Sequence, residues 1–585
     1  MGSKERHFAY ITALNPEVTG SALPVSVTTS SVRKCNFLVD CGLFQEREYN
    51  YLNQNGFPFS CEKIEFVLIT HNHSDHIGKL PLLCKNGFYG KIFATKATAK
   101  LMKISLSNSY QIMKEDAQRW KQKPLYDEED LERAFECIEP CEIGESIQVN
   151  QNVKVTFFDN GHIVGASMIL TQLSYPGEKD INILFTGDYK PYNTFKKVKA
   201  MPAWVYELPM NVVIESTYGD TETSEIEYNF ERDVEKLLKE RRSLFIPVLA
   251  QERAQKILYI LKNMQEDGRI DENIPIYLDG DLAHQYTYMY RSKLLDIDEE
   301  KLDFLPKNFH WVNKDNRVGI MMTNTQKIIL TTSGMLDHGP AQLYLPTVIT
   351  RKNWVIYLTS YCSEGTLGRK LMDNVDEESV MVMGMELKIK AQIFSTSQFS
   401  SHAKANELIA LLSKFKNLKL VLINHGEKET KEKFASRVED AEVAERVEIL
   451  GQHTFKVASY GYMKAMGAKL YSNTKTRKNT NSKKVSKTRT ERKKVACNEK
   501  FHILDKRRKF AMIKFRFFKK GKSELATADT KKNPRIKGKV VKDPTVTETE
   551  KFIMETVKGQ DKQVRQIVNA EYKCFDCWKK WYRKN

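Results

Sequence analysis

Three histidines and an aspartate fall within six residues, His71-Asn72-His73-Ser74-Asp75-His76, directly behind the apolar run Ile64-Glu65-Phe66-Val67-Leu68-Ile69-Thr70. The run reads as a buried strand that ends in a polar cluster. On the tight turn that follows, alternate side chains can converge on one point and the next pair on a second. Imidazole nitrogen and carboxylate oxygen are zinc-type donors, held at about 2.0–2.2 Å, so such a loop can serve two ions. Three imidazoles and a carboxylate in six residues are improbable as decoration of a polar surface turn. The fold must therefore present this strand end where further donors can meet it.

Three later strand ends offer them. His162 follows Val153 to Phe158 within Asn160-Gly161-His162. Asp188 follows Ile181 to Thr186 within Thr186-Gly187-Asp188. His425 follows Lys419 to Ile423 within Asn424-His425-Gly426. Singly, each is an ordinary polar residue at a strand end. Together they complete one two-metal shell.

The first 70 residues read as β-rich, and residues 95–120 as a helix. From about 211 strands and helices alternate, with Val212-Val213-Ile214, Leu244 to Leu249, Ile274 to Leu278, Lys327 to Thr331 and Val355 to Leu358 as strands. Strands separated by helices imply a mainly parallel sheet, and such sheets collect ligands at the carboxyl ends of their strands. After about 470 the pattern dissolves into Lys, Arg, Thr, Ser and Asn. There is no internal repeat. No run of about 18 apolar residues exists, so no transmembrane helix is expected. Met1 to Arg6 has no apolar core behind it, so no secretory signal is expected either. The ten cysteines are dispersed and read as reduced thiols of a cytosolic or nuclear protein.

At this point a resemblance is plain. Asp40 in Leu38-Val39-Asp40-Cys41-Gly42, the loop His71–His76, His162 and Asp188 resemble the four successive motifs of the metallo-β-lactamase fold, an αββα sandwich with a two-metal site at one edge. Ile214-Glu215-Ser216-Thr217-Tyr218-Gly219, Phe399-Ser400-Ser401-His402-Ala403 and Asn424-His425-Gly426-Glu427 resemble three further motifs of its β-CASP branch, nucleases with a second α/β domain inserted into the first. Glu17 to Ser21, Thr332-Ser333-Gly334-Met335 and Glu364 to Arg369 match that branch too. The similarity runs from about residue 8 to 468. It is greatest to the RNA-cleaving members, related to the endonuclease of pre-mRNA 3′-end processing and its prokaryotic relatives. Two positions depart from the pattern: Glu252 stands where relatives usually carry Gly, and Lys404 where Asp often follows the histidine motif. These departures touch substrate contacts rather than metal ligands.

The resemblance implies an α/β architecture: a metallo-β-lactamase domain over 1–210, completed by 390–470, and a β-CASP domain over 211–389; composition adds a basic, flexible tail over 471–585. It implies that His71, His73 and His162 hold one zinc ion and Asp75, His76 and His425 the other, with Asp188 bridging. Asp40 supports the histidine loop from behind. His402 is the general acid, Glu215 holds it, and Asp75 doubles as a catalytic carboxylate. Ser333, Gly334 and Ser401 are substrate contacts. Six of the twelve histidines thus fall in one site; His7, His284, His310, His338, His453 and His502 read as structural or surface residues. His at position 425 favours RNA over DNA. The expected function is a zinc-dependent endoribonuclease with two Zn2+ ions. The alternatives are a non-catalytic RNA-processing scaffold, a DNA nuclease, or a small-molecule hydrolase of the same fold. Expected partners are RNA, other RNA-processing proteins and a second copy of the chain, with no membrane. The expected place is the cytoplasm, or the nucleus of a eukaryote.

Charge separates the tail from the body. The whole chain of 585 residues carries a formal +18, but residues 471–585 alone hold 35 Lys+Arg against 12 Asp+Glu. The body is mildly acidic, so net charge points to nucleic acid only through the tail. There Lys483-Lys484, Arg492-Lys493-Lys494, Lys506-Arg507-Arg508-Lys509 and Lys519-Lys520 are interleaved with Phe510, Phe515, Phe517 and Phe518. The segment reads as a phosphate-neutralising arm, a nuclear-import signal or a solvated extension. Cys574-Phe575-Asp576-Cys577 is a lone pair of cysteines, too few for a structural zinc site. Trp578, Trp581 and Tyr582 beside it point to a packing element.

Overall fold

The computed structural model describes residues 8–451 apart from 31–32, 46–48, 120, 175–178, 226–228, 363–364 and 374–377. It also describes the strands His453–Ala458 and Lys464–Lys469 and four strands between 513 and 542. The backbone separates into two units, Met1–Thr476 and Arg477–Asn585.

Two sheets face each other in the first unit. One is eight-stranded, in the order Lys464–Lys469, His453–Ala458, Phe8–Ile11, Leu23–Ser30, Arg33–Val39, Phe66–Leu68, Lys91–Thr95, Ile138–Cys141. The other is seven-stranded, in the order Val447–Ile449, Leu418–Ile423, Met210–Ile214, Ile181–Phe185, Ser167–Leu173, Val153–Asp159, Ser146–Gln148. The side-chain period of two explains the layering. Phe37, Phe66, Leu68, Ile183, Phe185 and Leu422 meet between the sheets. Their neighbours Leu38, Val67 and Ile69 face outward, where Leu80, Leu83, Met102 and Leu106 cover them. Leu184, Val212 and Val421 likewise face Leu408, Leu411, Phe434 and Val438. Each such side chain contributes roughly 1.5–3 kcal/mol by leaving water. Because both faces of these strands are covered, they read in sequence as unbroken apolar runs.

A third sheet is six-stranded, in the order Phe309–Val312, Ile276–Asp279, Ile328–Thr331, Ser243–Pro247, Trp354–Leu358, Gln392–Ser395. Every pairing in it is parallel. Phe230–Lys239, Arg253–Glu266 and Asp281–Arg291 pack on one face and Ala341–Ile349 and Leu367–Asp373 on the other. Metallo-β-lactamase sandwich and inserted α/β domain are thus both present, and the sheet expected beyond 211 is parallel. Its edges differ from expectation. Met210–Ile214 pairs within the sandwich, with Ile181–Phe185 and Leu418–Ile423. Gln392–Ser395, expected beyond the insertion, lies in the inserted sheet. A parallel strand covered on both faces has the same composition in either sheet, so its sequence does not tell which it joins.

In the second unit Ile513–Lys519 and Lys522–Asp529 pair antiparallel, and Arg535–Ile536 and Val541–Lys542 pair with the latter. The sequence predicts no elements there. The alternation Ile513-Lys514-Phe515-Arg516-Phe517, read as basic residues interleaved with aromatics, is also the period-two pattern of a strand. Lys483-Lys484, Arg492 to Lys494, Lys506 to Lys509, and Cys574, Cys577 and their aromatic neighbours lie outside the described residues. No helix among the described residues is long and apolar enough to cross a membrane.

Candidate metal centre

Strand direction gathers the site. Ile181–Phe185, Met210–Ile214 and Leu418–Ile423 run parallel, so Asp188, Glu215 and His425 leave the sheet at one edge. Val153–Asp159 is antiparallel to Ser167–Leu173, which is antiparallel to Ile181–Phe185. It therefore delivers His162 to the same edge. The histidine loop arrives from the facing sheet behind Phe66–Leu68, with His73 at the start of the short helix Ser74–Ile77.

The segment after Arg33–Val39, together with Ser21 ahead of the strand Leu23–Ser30, holds that loop. Cys41 N donates to His76 O at 2.6 Å, Leu43 N to Ser74 O at 3.0 Å, and Ser21 N to Asp75 O at 2.8 Å. Gly42 lies so close that a Cβ there would sit 1.5 Å from Asp75 O; only glycine fits. Asp40, at a φ of 58°, turns its carboxylate onto the loop. Thr70 N donates to its Oδ1 at 2.9 Å and Thr70 Oγ1 to its Oδ2 at 2.8 Å. Asp40 Oδ2 also accepts His76 Nδ1–H at 2.7 Å, which turns His76 Nε2 toward the site, the usual role of a carboxylate behind a metal-type imidazole.

The donors fall into two groups. In the first, His71 Nε2 and His162 Nε2 lie 3.0 and 3.2 Å from His73 Nδ1, and each is 3.6 Å from Asp188 Oδ2. In the second, His76 Nε2 and His425 Nε2 lie 3.3 Å apart, and Asp75 Oδ2 is 3.7 and 3.8 Å from them. Asp188 Oδ1 faces this group at 3.4 and 3.3 Å from the same nitrogens. A tetrahedral ion with donors about 2.0–2.1 Å away sets neighbouring donors about 3.3 Å apart, and both groups bracket that spacing. Asp188 turns one oxygen to each group, and its buried Oδ1 accepts no hydrogen bond within the protein. A buried carboxylate oxygen without a donor is costly unless a cation answers it. The arrangement fits two metal ions sharing Asp188.

Electrostatics agree. Burial pushes His71, His162 and His73 down, the last to about 4, with His76 adding to the effect on His71 and His402 to that on His162. Neutral imidazoles are the metal-binding form. Burial also disfavours charge on His76, but Asp188, Asp40 and Asp75 together lift it well above its ordinary value. Three carboxylates thus demand positive charge at that point.

His402 stands beside the first group, its Nε2 3.9 Å from Asp188 Oδ2. Its Nδ1 donates to Glu215 Oε2 at 2.9 Å. Glu215 is buried and accepts Tyr189 N at 2.5 Å and Thr217 N at 3.3 Å, so it is a fixed anchor. Burial opposes charge on His402, but Glu215 and Asp188 outweigh it and raise the ring above its ordinary value. Ser401 O accepts His162 Nδ1–H at 3.0 Å, which orients a ligand ring, and Ser401 also lines the recess beside His162. Ser333 and Gly334 follow Ile328–Thr331 of the inserted sheet, and Gly334 packs against Ser360 and Leu249. His284 and His310 bond to Leu278 O and Asn308 Oδ1, as structural histidines do.

Sequence reasoning missed the turn after Ser243–Pro247. Gln251 and Asn72 exchange amide hydrogen bonds of 2.6 and 3.1 Å, tying the turn to the histidine loop. Glu252 accepts Val164 N at 3.3 Å and Asn193 Nδ2 at 2.7 Å, tying it to the loops of His162 and Asp188, and also accepts Tyr290 O–H. Its φ of 64° is left-handed, which explains why glycine suits this position. Thr217 Oγ1, 3.1 Å from His425 Nδ1, is a second orienting residue, inside the motif Ile214 to Gly219 but given no role by the sequence. Lys404 is buried with its ammonium 3.3 Å from the centre of the Tyr218 ring, and burial, then Lys190, push it down to about 8.

The chain matches three family models in order. They are a metallo-beta-lactamase superfamily domain over residues 31–184, a Beta-Casp domain over 254–371, and a Zn-dependent metallo-hydrolase RNA specificity domain over 386–450. It is 30% identical over 425 residues to Ribonuclease TTHA0252 of Thermus thermophilus, covering 71% of this chain and 91% of that one. It is 30% identical over 414 residues to Transcription termination factor FttA of Methanococcus maripaludis, covering 67% of this chain. It spans 63% of the length of that relative. An RNase J-like protein of Methanocaldococcus jannaschii is 28% identical over 426 residues, with 92% of its length covered.

Proposed function

The chain belongs to the β-CASP branch of the metallo-β-lactamase superfamily, and from that premise we propose that it is a zinc-dependent ribonuclease that cuts within RNA strands. The observation that carries the reading is Asp188, with one carboxylate oxygen toward each donor group and the His402–Glu215 pair alongside. Five imidazoles and two carboxylates form a donor set that suits zinc. Ions bound there supply Lewis-acid polarisation of a phosphoryl oxygen and a water acidic enough to attack at neutral pH.

The chain's own residues do the rest. His71, His73 and His162 would hold one ion and Asp75, His76 and His425 the other, with Asp188 facing both groups. Asp40 and Thr70 lock the histidine loop, and Asp75 keeps negative charge beside the reacting centre. His402 carries a proton on its Nε2, next to the donor groups, and gives it to the leaving oxygen. Glu215 stabilises the protonated ring before the transfer and fixes its orientation. The names of the ribonuclease relatives and the RNA specificity domain support RNA over DNA. The seven free cysteines among the described residues fit a reducing compartment.

The test is incubation of the purified protein with end-labelled RNA and DNA of one sequence, with and without a zinc chelator. The expected result is internal cleavage of RNA, stopped by the chelator and restored by zinc. Cleavage indifferent to the chelator, or of DNA alone, contradicts the reading. No cleavage with zinc restored favours the scaffold alternative.

A further inference from the structure

A recess opens beside His73 and His162, between the metal-bearing loops and the inserted domain. Its floor is the first turn of the helix Arg253–Glu266, at the carboxyl end of the parallel strand Ser243–Pro247. Parallel sheets collect ligands there, and a helix N-terminus favours anions.

The side chains are cationic. Arg253 and Lys256 are three residues apart and share one face of the helix. Phe399 lies beneath both, its ring centre 5.7 Å from the Arg253 guanidinium carbon and 5.8 Å from the Lys256 ammonium. Arg253 is buried and is fixed by Thr359 O, by Ser360 Oγ at 3.1 Å and by Phe399 O at 2.7 Å. None of these partners is a carboxylate. Among the described residues the Lys256 ammonium has no hydrogen-bond or ion-pair partner. Glu252, the only carboxylate among the residues lining the recess, is occupied by Tyr290, Asn193 and Val164. Burial, then the Arg253 charge, push the Lys256 ammonium down to about 8, and burial pushes Arg253 down to about 10. Glu252 attracts both cations without pairing directly with either, so an anionic ligand in the recess is attracted by both. At the rim Tyr192 is 49% exposed, and the Lys190 ammonium lies 4.8 Å from its ring centre. An exposed ring of that kind can stack on a base.

We propose that Arg253 and Lys256, with Tyr192 at the rim, form a nucleotide subsite that holds an unreacted phosphate of the substrate strand beside the one being cleaved. The assignment rests on the reading of the chain as an RNA hydrolase. It extends that reading from the metal centre to the register of the strand, with the metal centre at one end and Lys256 at the other. Arg253 is the rigid member and Lys256 the adaptable one.

The test uses the full, metal-loaded chain and a fluorescein-labelled oligouridylate with hydrolysis-resistant phosphorothioate linkages. Affinity is measured across a range of salt concentrations. Lys256→Ala is expected to weaken binding about tenfold, the scale of one charge-assisted contact. The slope of log affinity against log salt falls by about 0.7, the share of one single-strand phosphate. Lys256→Arg restores most of both. Tyr192→Ala weakens binding with the slope unchanged. Hydrolysis of bis(p-nitrophenyl) phosphate, which offers no second nucleotide, stays within about twofold in all three variants. Equal affinity and slope for wild type and Lys256→Ala overturns the subsite, as does a matching loss on the small diester or a wild type that does not bind. A wild type that binds the oligomer yet leaves ordinary RNA uncut refutes the ribonuclease reading instead, and the salt slope still decides the subsite.

Discussion

Asp188→Ala and His73→Ala are each expected to abolish RNA cleavage while leaving the fold in place. Among the described residues Asp188 is the side chain that turns an oxygen to each donor group, so on the proposed reading its loss removes a ligand from each ion at once. The deficit should exceed the ~10–100-fold typical of losing a mere supporting partner. The fold should survive for a specific reason. The Asp188 carboxylate accepts no hydrogen bond at Oδ1, and its nearest neighbours are imidazoles of the site, not backbone donors. Removing it leaves no backbone group unsatisfied, and Asp40 and Asp75 still face His76. His73 begins the short helix Ser74–Ile77 without a side-chain cap bond, so its ring is not needed for that turn. Circular dichroism and a thermal melt check the fold, and a gel of end-labelled RNA checks activity. Undiminished cleavage by either purified variant removes the site assignment.

His402→Ala is expected to lower kcat on RNA by ~10²–10⁴, the range of a lost general acid, with metal content unchanged. The leaving oxygen of an RNA strand is a poor leaving group without a proton. p-Nitrophenolate leaves well without one, so the variant should lose far less on bis(p-nitrophenyl) phosphate. That difference separates proton donation from positioning. His402 also lies near the metal ligands, with its ring centre 4.7 Å from that of His162. If the ring merely propped His162, both substrates would suffer alike, and equal losses would count against the acid role.

Much of this was legible before the structure because metal ligands sit at strand ends. An apolar run that stops in His, Asp or Gly-His marks both a strand and its carboxyl end, and parallel strands bring such ends together. His71, His162, Asp188 and His425 each follow from that pattern, and the structure places the first three in one donor group and His425 in the other, with Asp188 facing both. What stayed hidden depends on contacts distant in sequence. Gln251 and Glu252 look like the start of a helix. Their bonds to Asn72, Val164 and Asn193 exist only once the inserted domain closes on the sandwich. Glu252 was visible as a departure from the family pattern, yet its left-handed backbone and its role in tying the metal-bearing loops could not be read from its identity. Met210–Ile214 could not be assigned to its sheet, because a strand covered on both faces has the same apolar run in either place. In the tail, one alternation of Phe with Lys and Arg fits both a phosphate-binding arm and a strand, and Ile513–Lys519 is a strand.

The central claim is that seven side chains form one centre for two ions sharing Asp188. Elemental analysis of the purified, cleavage-competent protein tests it most directly. The expected result is about two zinc ions per chain, falling together with activity on titration with a chelator. Full activity in protein holding no metal, or a single ion that accounts for all of it, would contradict the account.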